Sequence, residues 1–340
     1  MMNNKGVVLV IVLWVLLILS LIAWGLGRRS SLEVSLLETY RGKLRSYAAA
    51  RAGINKMLDL LQRSPSPKDT LYSTGIIIDP MKTPVDIFSH IDTGQNAYAS
   101  VQWVAQNFNT LNNNAYVDYG LRDEAGRINI NAINISNYQI LSALFQLKDL
   151  SQSNADKLAM AIISYATGGS QASGNNSFMD MNDSTIKPKN RLYENILELL
   201  EVNGMTQEIF DKIKDDLTVY GEAQNGLRIN VDTANNDVIQ AVANAAVRLN
   251  ATANANEIVQ AAYDIRDGVD RYSFTSDDGV SSITSLKNPN WPAVLREGSF
   301  NYYRARVVGV DADSGARTIL EAVIRHTQGA PGEIVSWQRD

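Results

Sequence analysis

Val7 to Leu26 reads VVLVIVLWVLLILSLIAWGL, without one charged residue. At about 1.5 Å per helical residue this run matches a bilayer hydrocarbon core of roughly 30 Å, and we read it as a spanning helix. A cleaved secretory signal has a shorter apolar region, about 7 to 15 residues, followed by a small-x-small site. Here the run is longer, and Ala23-Trp24-Gly25-Leu26-Gly27-Arg28 makes a poor site. Lys5 precedes the segment while Arg28 and Arg29 follow it, so the positive-inside count leaves orientation undecided.

No proline follows until Pro65, and apolar residues recur at Leu32, Leu36, Tyr40, Leu44, Tyr47, Ile54, Leu58 and Leu61. Steps of 3, 4 or 7 put them on one helical stripe, so the spacing predicts a single helix from Val7 to about Gln62, roughly 80 Å long. Half of it is expected in lipid and half on a folded domain. Ala48, Ala49, Ala50, Ala52 and Gly53 interrupt the stripe and permit close approach of another element, or serve as plain core packing. Ser64-Pro65-Ser66-Pro67 ends the helix, because proline lacks an amide donor and holds its predecessor extended.

A polar loop is expected up to about Asn96. Strand-like alternation follows at Tyr98 to Ala105, Ala115 to Leu121, Phe300 to Val310 and Ala316 to Arg325. The last two flank Asp311-Ala312-Asp313-Ser314-Gly315, which predicts a hairpin. Between the strand groups the composition turns helical, so residues 133–226 are expected to form an inserted α-domain between residues 64–132 and 227–340. A short echo brackets the insert: Gly126-Arg127-Ile128-Asn129-Ile130-Asn131 before it and Leu227-Arg228-Ile229-Asn230-Val231-Asp232-Thr233 after it. Each copy alternates like a half-buried strand and then offers a helix cap, and the two are expected to pair where the chain leaves and re-enters the main domain.

Composition excludes several chemistries. A net charge of -5 argues against a sequence-blind nucleic-acid binder, which needs a cationic surface. No cysteine is present, so disulfides, thiolate catalysis and Cys-ligated zinc are ruled out. The two histidines, His90 and His326, supply no metal pair and little material for a triad. Gly168-Gly169-Ser170-Gln171-Ala172-Ser173-Gly174-Asn175 lacks the Lys-Ser/Thr that a phosphate loop requires. The turn Val202-Asn203-Gly204-Met205 between amphipathic stretches has the outline of a helix-hairpin-helix, but Glu194, Glu198, Glu201 and Glu208 surround it and would repel a phosphate backbone. Acidic clusters at Asp180-Met181-Asn182-Asp183, Asp267-Gly268-Val269-Asp270, Asp277-Asp278 and Asp311 with Asp313 match no EF-hand and read as turn acids. No catalytic set emerges, so the chain is read as a non-enzyme.

The short polar leader Asn3-Asn4-Lys5-Gly6, directly before the apolar run, resembles the leader of type IV prepilins, which a membrane-embedded prepilin peptidase cuts after the glycine. The resemblance implies cleavage between Gly6 and Val7. Position five after the cut is Ile11, where most pilins and pseudopilins carry glutamate. In this the chain resembles the K-type minor pseudopilin family of type II secretion. Further similarity lies in Arg41, Arg45 and the turn Ala48 to Gly53, in Asp123 to Asn131, in Arg228 to Ala234 and in the Tyr303 to Ile324 hairpin.

That family implies an α+β, pilin-like fold: a long N-terminal transmembrane helix, an antiparallel sheet and a large inserted α-helical domain. It implies single-pass anchoring in the inner membrane of a Gram-negative bacterium, with the folded domain in the periplasm. Implied partners are the I-type and J-type minor pseudopilins, the major pseudopilin, the prepilin peptidase and the inner-membrane assembly platform. The implied role is at the pseudopilus tip, where assembly starts. Family members can bind calcium in the α-domain. Here Ile163 to Gly168 lacks the expected carboxylates, so no cofactor or metal is expected; the residues to which the resemblance would point for calcium are Asp180 and Asp183. The rival readings are a type IV pilus tip subunit, a tethered nucleic-acid module using the Val202 to Met205 hairpin, and an anchored hydrolase using carboxylates.

Overall fold

The computed structural model describes residues 4–63, 87–105, 116–168, 189–221, 226–268, 290–296, 298, 301–326 and 330–339. Helix α1 runs unbroken over Asn4–Arg63, 60 residues and thus about 90 Å. Its last turns lie on an antiparallel sheet built from β1 (Ile91–Gly94), β2 (Ala97–Ala105), β3 (Tyr116–Tyr119), β4 (Arg122–Asp123) and three C-terminal strands, β9 (Tyr302–Asp311), β10 (Arg317–Arg325) and β11 (Glu333–Arg339). The main order is β1-β2-β9-β10-β11, with β3 beside β2 and β4 beside β9. The predicted hairpin is β9 with β10, in register from Val310 opposite Arg317 to Tyr302 opposite Arg325.

Of the longer strands, β1 and β11 lie outside the sequence expectation. β1 falls within the stretch read as polar loop, and its turn to β2 is made by Gln95 and Asn96, both at positive φ (55° and 56°), the geometry of a tight hairpin. β11 follows the hairpin and pairs with β10 around a bulge between Val323 and Ile324.

The stripe on α1 also divides. Ser46, Ala49, Ala50, Gly53, Ile54, Met57, Leu60 and Leu61 are buried on the sheet, whereas Leu36, Tyr40 and Leu44 face outward. The small residues allow contact between backbones. A Cβ on Gly309 of β9 would lie 2.0 Å from the Ser46 carbonyl oxygen and 2.5 Å from the Ala50 nitrogen. One on Gly53 would meet Val307 Cγ1 at 2.6 Å and Ala99 Cβ at 2.9 Å. Ser46 Oγ donates to the Lys43 carbonyl at 3.0 Å and accepts from Thr318 Oγ1 at 2.7 Å, so this polar side chain is satisfied within the contact.

A second core belongs to the helical part: β5 (Ile128–Asn129), α2 (Tyr138–Leu147), α3 (Gln152–Thr167), α4 (Gln207–Ile213), β6 (Leu217–Thr218), β7 (Ile229–Asn230), α5 (Asn236–Leu249), α6 (Ala255–Arg266) and β8 (Leu295–Arg296). α2 packs against both α3 and α5. This core runs from Ile128 to Leu295, so helical packing continues past residue 226, where the composition shift alone ends it.

The two echoed segments do not pair with each other, contrary to the sequence expectation. β5 pairs in parallel with β6, and β7 in parallel with β8, each strand meeting the one that returns after its own helices. Each copy still builds the same local unit. Asn129 and Asn230 hold φ/ψ of -75°/109° and -73°/110°, and each side chain accepts from the backbone nitrogen two residues on. The copies meet through Gly126, where a Cβ would stand 2.3 Å from the Thr233 carbonyl oxygen.

Gly309→Val is expected to destabilise the fold by about 3 kcal/mol, because the clash is with helix backbone that cannot rotate aside. Gly25→Ala, with nothing within 4 Å of its Cβ, is expected to leave the unfolding midpoint unchanged. Thermal unfolding of the full chain in detergent micelles checks both.

Candidate assembly surface

Leu9–Leu26 has a mean hydropathy of 2.9 with none of the window buried, so this helix is long and apolar enough to cross a bilayer. Ile11 is 57% exposed on it. Gly6 and Val7 lie on the same continuous helix. Within the apolar run Ser20 Oγ donates to the Leu16 carbonyl at 2.8 Å, which hides the hydroxyl on the helix itself. The Arg28 guanidinium sits 5.9 Å from the Trp24 ring, a cation–aromatic pair at the end of the run. Past the charges the apolar surface resumes at Val34, Leu36, Leu37, Tyr40 and Leu44, the last 68% exposed. This stretch lies beyond the window that matches a bilayer, and among the described residues nothing of its own domain covers it.

The helix is latched where it meets the domain. Arg45 lies 2.9 Å from Asp313 Oδ2 and 3.7 Å from Asp311 Oδ1, and Asn96 donates to Asp313 Oδ1 at 2.9 Å. Gly42 passes beneath Ser314, where a Cβ would be 2.1 Å from its hydroxyl. Ser314 donates to Asp311 through backbone and hydroxyl, which holds the Asp311 carboxyl below its usual range. Asp311 and Asp313 therefore serve as partners for the helix rather than as isolated turn acids.

A second polar cluster joins the sheet to the helical part. Glu124 is buried, accepting from Arg304 Nε at 2.7 Å and Thr218 Oγ1 at 2.5 Å, with Arg127 at 3.5 Å. Burial pushes its carboxyl up, but Arg127 and Arg304, with the hydrogen bonds of Arg304 and Thr218, outweigh that and bring it down to about 2. Asp123 accepts from Asn230 Nδ2 at 3.0 Å, tying the first echo to the second. Deeper in the helical core Lys148 stands 3.2 Å from Asp216 and 2.5 Å from Asp237, linking the end of α2 to the start of α5. Arg266 and Asp267, both fully buried, pair at 2.7 Å, and Arg266 also donates to the Ala234 carbonyl.

At the Val202 to Met205 turn, a 3₁₀ segment over Ile196–Glu201 precedes α4, and Gly204 takes the turn at φ 88°. Its glutamates are already engaged. Glu198 caps Asn195 and pairs with Lys189, while Glu201 accepts the Tyr165 hydroxyl and pushes it up to about 12. His90 stacks on Tyr98 at 4.3 Å, and His326 is buried, its charged form disfavoured by that burial. Among the described residues no group of three His, Asp or Glu gathers to hold a metal. Asp180 and Asp183, the calcium candidates, lie outside the described residues, as do Asp270, Asp277 and Asp278.

Residues 126–222, the stretch holding β5, α2, α3, α4 and β6, match the family model for Type II secretion system (T2SS), protein K. A solved chain similar to it comes from the GspK-GspI-GspJ complex of the enterotoxigenic Escherichia coli Type 2 Secretion System. The likeness covers 91% of this chain and 99% of that chain, with a TM-score of 0.55 and 13% identity, and shows a shared fold. No curated protein sequence matches the chain. The α+β, pilin-like architecture expected from the sequence is the one observed.

The network at Glu124 sets a pH signature. Its folded pKa of about 2 lies below the ordinary 4.5, so its contribution is full above the ordinary value and lost as pH falls from there to about 2. Glu124→Gln is expected to cost about 3 kcal/mol at neutral pH, with the gap to wild type closing across that acid window, as read by urea unfolding at stepped pH.

Proposed function

We propose that the chain is a structural minor pseudopilin at the tip of a type II secretion pseudopilus, where it nucleates or caps assembly and so supports export across the outer membrane. One observation carries the reading. A protein K domain is joined to a pilin-like helix and sheet whose helix keeps an apolar stripe uncovered well past the bilayer-length run. A soluble domain rarely leaves such a surface to water, and helices of sister subunits are the chemistry that would cover it. The pseudopilin family is structural rather than catalytic, in accord with a site built for contact.

The cited solved complex is one of GspK with GspI and GspJ, so the I-type and J-type minor pseudopilins are the proposed neighbours. The major pseudopilin, the assembly platform and the prepilin peptidase complete the proposed set, with α1 in the inner membrane and the domain in the periplasm. Ile11 fits a cap. In a stack of buried helices a glutamate at that position neutralises the next subunit's N-terminal amine, because an unpaired charge in lipid-like surroundings is costly. A terminal subunit has no neighbour above it, and isoleucine avoids a stranded carboxylate.

In cells with active prepilin peptidase, the mature chain is expected to begin at Val7, and Gly6→Leu to leave the leader uncut. An intact leader in the wild type, by mass measurement, contradicts the proposal. Residues 28–340 are expected to co-purify with I-type and J-type domains, and Ile11→Glu to lower the yield of assembled pseudopilus.

A further inference from the structure

The sheet ends at β11, and this edge strand lies beside α1. A Cβ on Gly332, just before the strand, would meet Leu58 Cδ2 at 2.9 Å, and at the strand's far end the Arg339 guanidinium sits 5.6 Å from the Tyr47 ring. β11 therefore runs along the helix from Leu58 toward Tyr47, in the direction of the apolar run. Trp337, 37% exposed, stands opposite Ala322 of the sheet core, so it projects from the sheet face that carries α1. On the helix, the side bordering β11 reads Tyr40, Leu44, Tyr47, Arg51 and Leu58, and steps of 4, 3, 4 and 7 are those of a seam that a second helix fills. Tyr40 and Leu44 are exposed, and Arg51 is exposed without a hydrogen bond or ion pair. Among the described residues no acid answers Arg51 from this side. Glu38 lies about 200° around the helix from Tyr40 at 3.6 residues per turn, Asp59 pairs with Lys56, and Glu333 of β11 pairs with Arg325.

Given the minor-pseudopilin reading, on which this inference rests, we propose that the face shared by α1 and β11 seats the helix of a neighbouring pilin-like subunit. That helix runs parallel to α1, places its apolar side between Leu44 and Trp337, and sets a carboxylate on Arg51. Tyr40 lies about 21 Å past Leu26 along the axis, so a partner that covers Tyr40 and Leu44 is held close to the bilayer. Within the hydrocarbon a subunit beside α1 can only be a helix or a closed barrel, and a helix continued outward stays on the seam. A wholly apolar helix would cover the stripe but bury Arg51 without a counter-charge, which is costly. The helix that fits therefore carries aspartate or glutamate level with Arg51, and that charge selects among candidate neighbours. Trp337 adds an aromatic surface of the kind that anchors interfaces, and Arg339 stacked on Tyr47 closes the floor between strand and helix. The folded domain thus takes part in choosing the neighbour through its edge strand.

The test uses the full chain in detergent micelles with full-length I-type and J-type pseudopilins. Arg51→Glu and Trp337→Ala are each expected to weaken co-purification about tenfold, and Arg51→Lys to retain it. Both positions are exposed, so the unfolding midpoints of these variants are expected to match the wild type. The chain has no cysteine, so Leu44→Cys and Trp337→Cys each carry a single site for a benzophenone maleimide. Light is expected to link both positions to the same helix of one partner. A wild-type complex left intact by Arg51→Glu and Trp337→Ala would overturn this placement while the pseudopilin reading stands, whereas no complex in the wild type would overturn both. Links that reach only a second copy of the chain, or a partner segment other than its helix, would overturn the placement as well.

Discussion

Everything in the pilin-like half depends on one close contact, the backbone of α1 laid against strand β9. Ser46, Ala50 and Gly53 on the helix and Gly309 on the strand remove the side chains that would hold the two apart. Close approach brings Ile54, Met57 and Leu61 onto Val101, Val307, Leu320 and Ala322, and burial of those groups supplies the main stabilisation. The same contact fixes the direction in which the exposed part of the helix leaves the domain. Arg45 with Asp311 and Asp313, and Gly42 beneath Ser314, extend the grip one turn further toward the apolar run. A helix held this firmly at one end transmits the orientation of its lipid-compatible end to the folded domain without a hinge.

The helical part is attached by charge rather than by grease. Glu124 on the chain leaving the sheet takes Arg304 from β9 and Thr218 from β6, so one buried carboxylate joins sheet, exit strand and returning strand. A buried ion set of this kind adds little net stability over an apolar plug, but breaking one member is costly because the remaining charges are stranded. The arrangement therefore favours one docking angle over others. Asp123 and Asn230 repeat the device with neutral donors and link the two echoed segments side by side.

Much of the architecture was legible from residues alone. The uncharged run, the absence of proline before Pro65 and the small residues from Ala48 to Gly53 foretold a continuous helix with a close-packed face, and alternation located β2, β3, β9 and β10. The echo was legible as strand plus cap, because Asn129 and Asn230 are bound to their own local backbone. Which strands they pair with was not: β5 to β6 and β7 to β8 are contacts between residues far apart in sequence, and two-residue strands carry no register signal. β1 was hidden for a related reason, since Ile91-Asp92-Thr93-Gly94 is too short and polar to alternate visibly.

The sequence by itself determined the local and periodic features: a bilayer-length apolar helix, its continuation as an amphipathic rod, the hairpin, and the absence of cysteine. Tertiary structure decided which apolar residues of that rod are used. Leu36, Tyr40 and Leu44 belong to the same periodic stripe as Ile54 and Leu61, yet the first three face outward and the last two lie in the core. Periodicity reports that a face is apolar, whereas only the position of the sheet, set by Gly309 against Ser46, determines where along the helix that face is covered. The convergence of Glu124, Arg127 and Arg304 was likewise invisible, because charges in sequence carry no distances until the chain brings its separate stretches together.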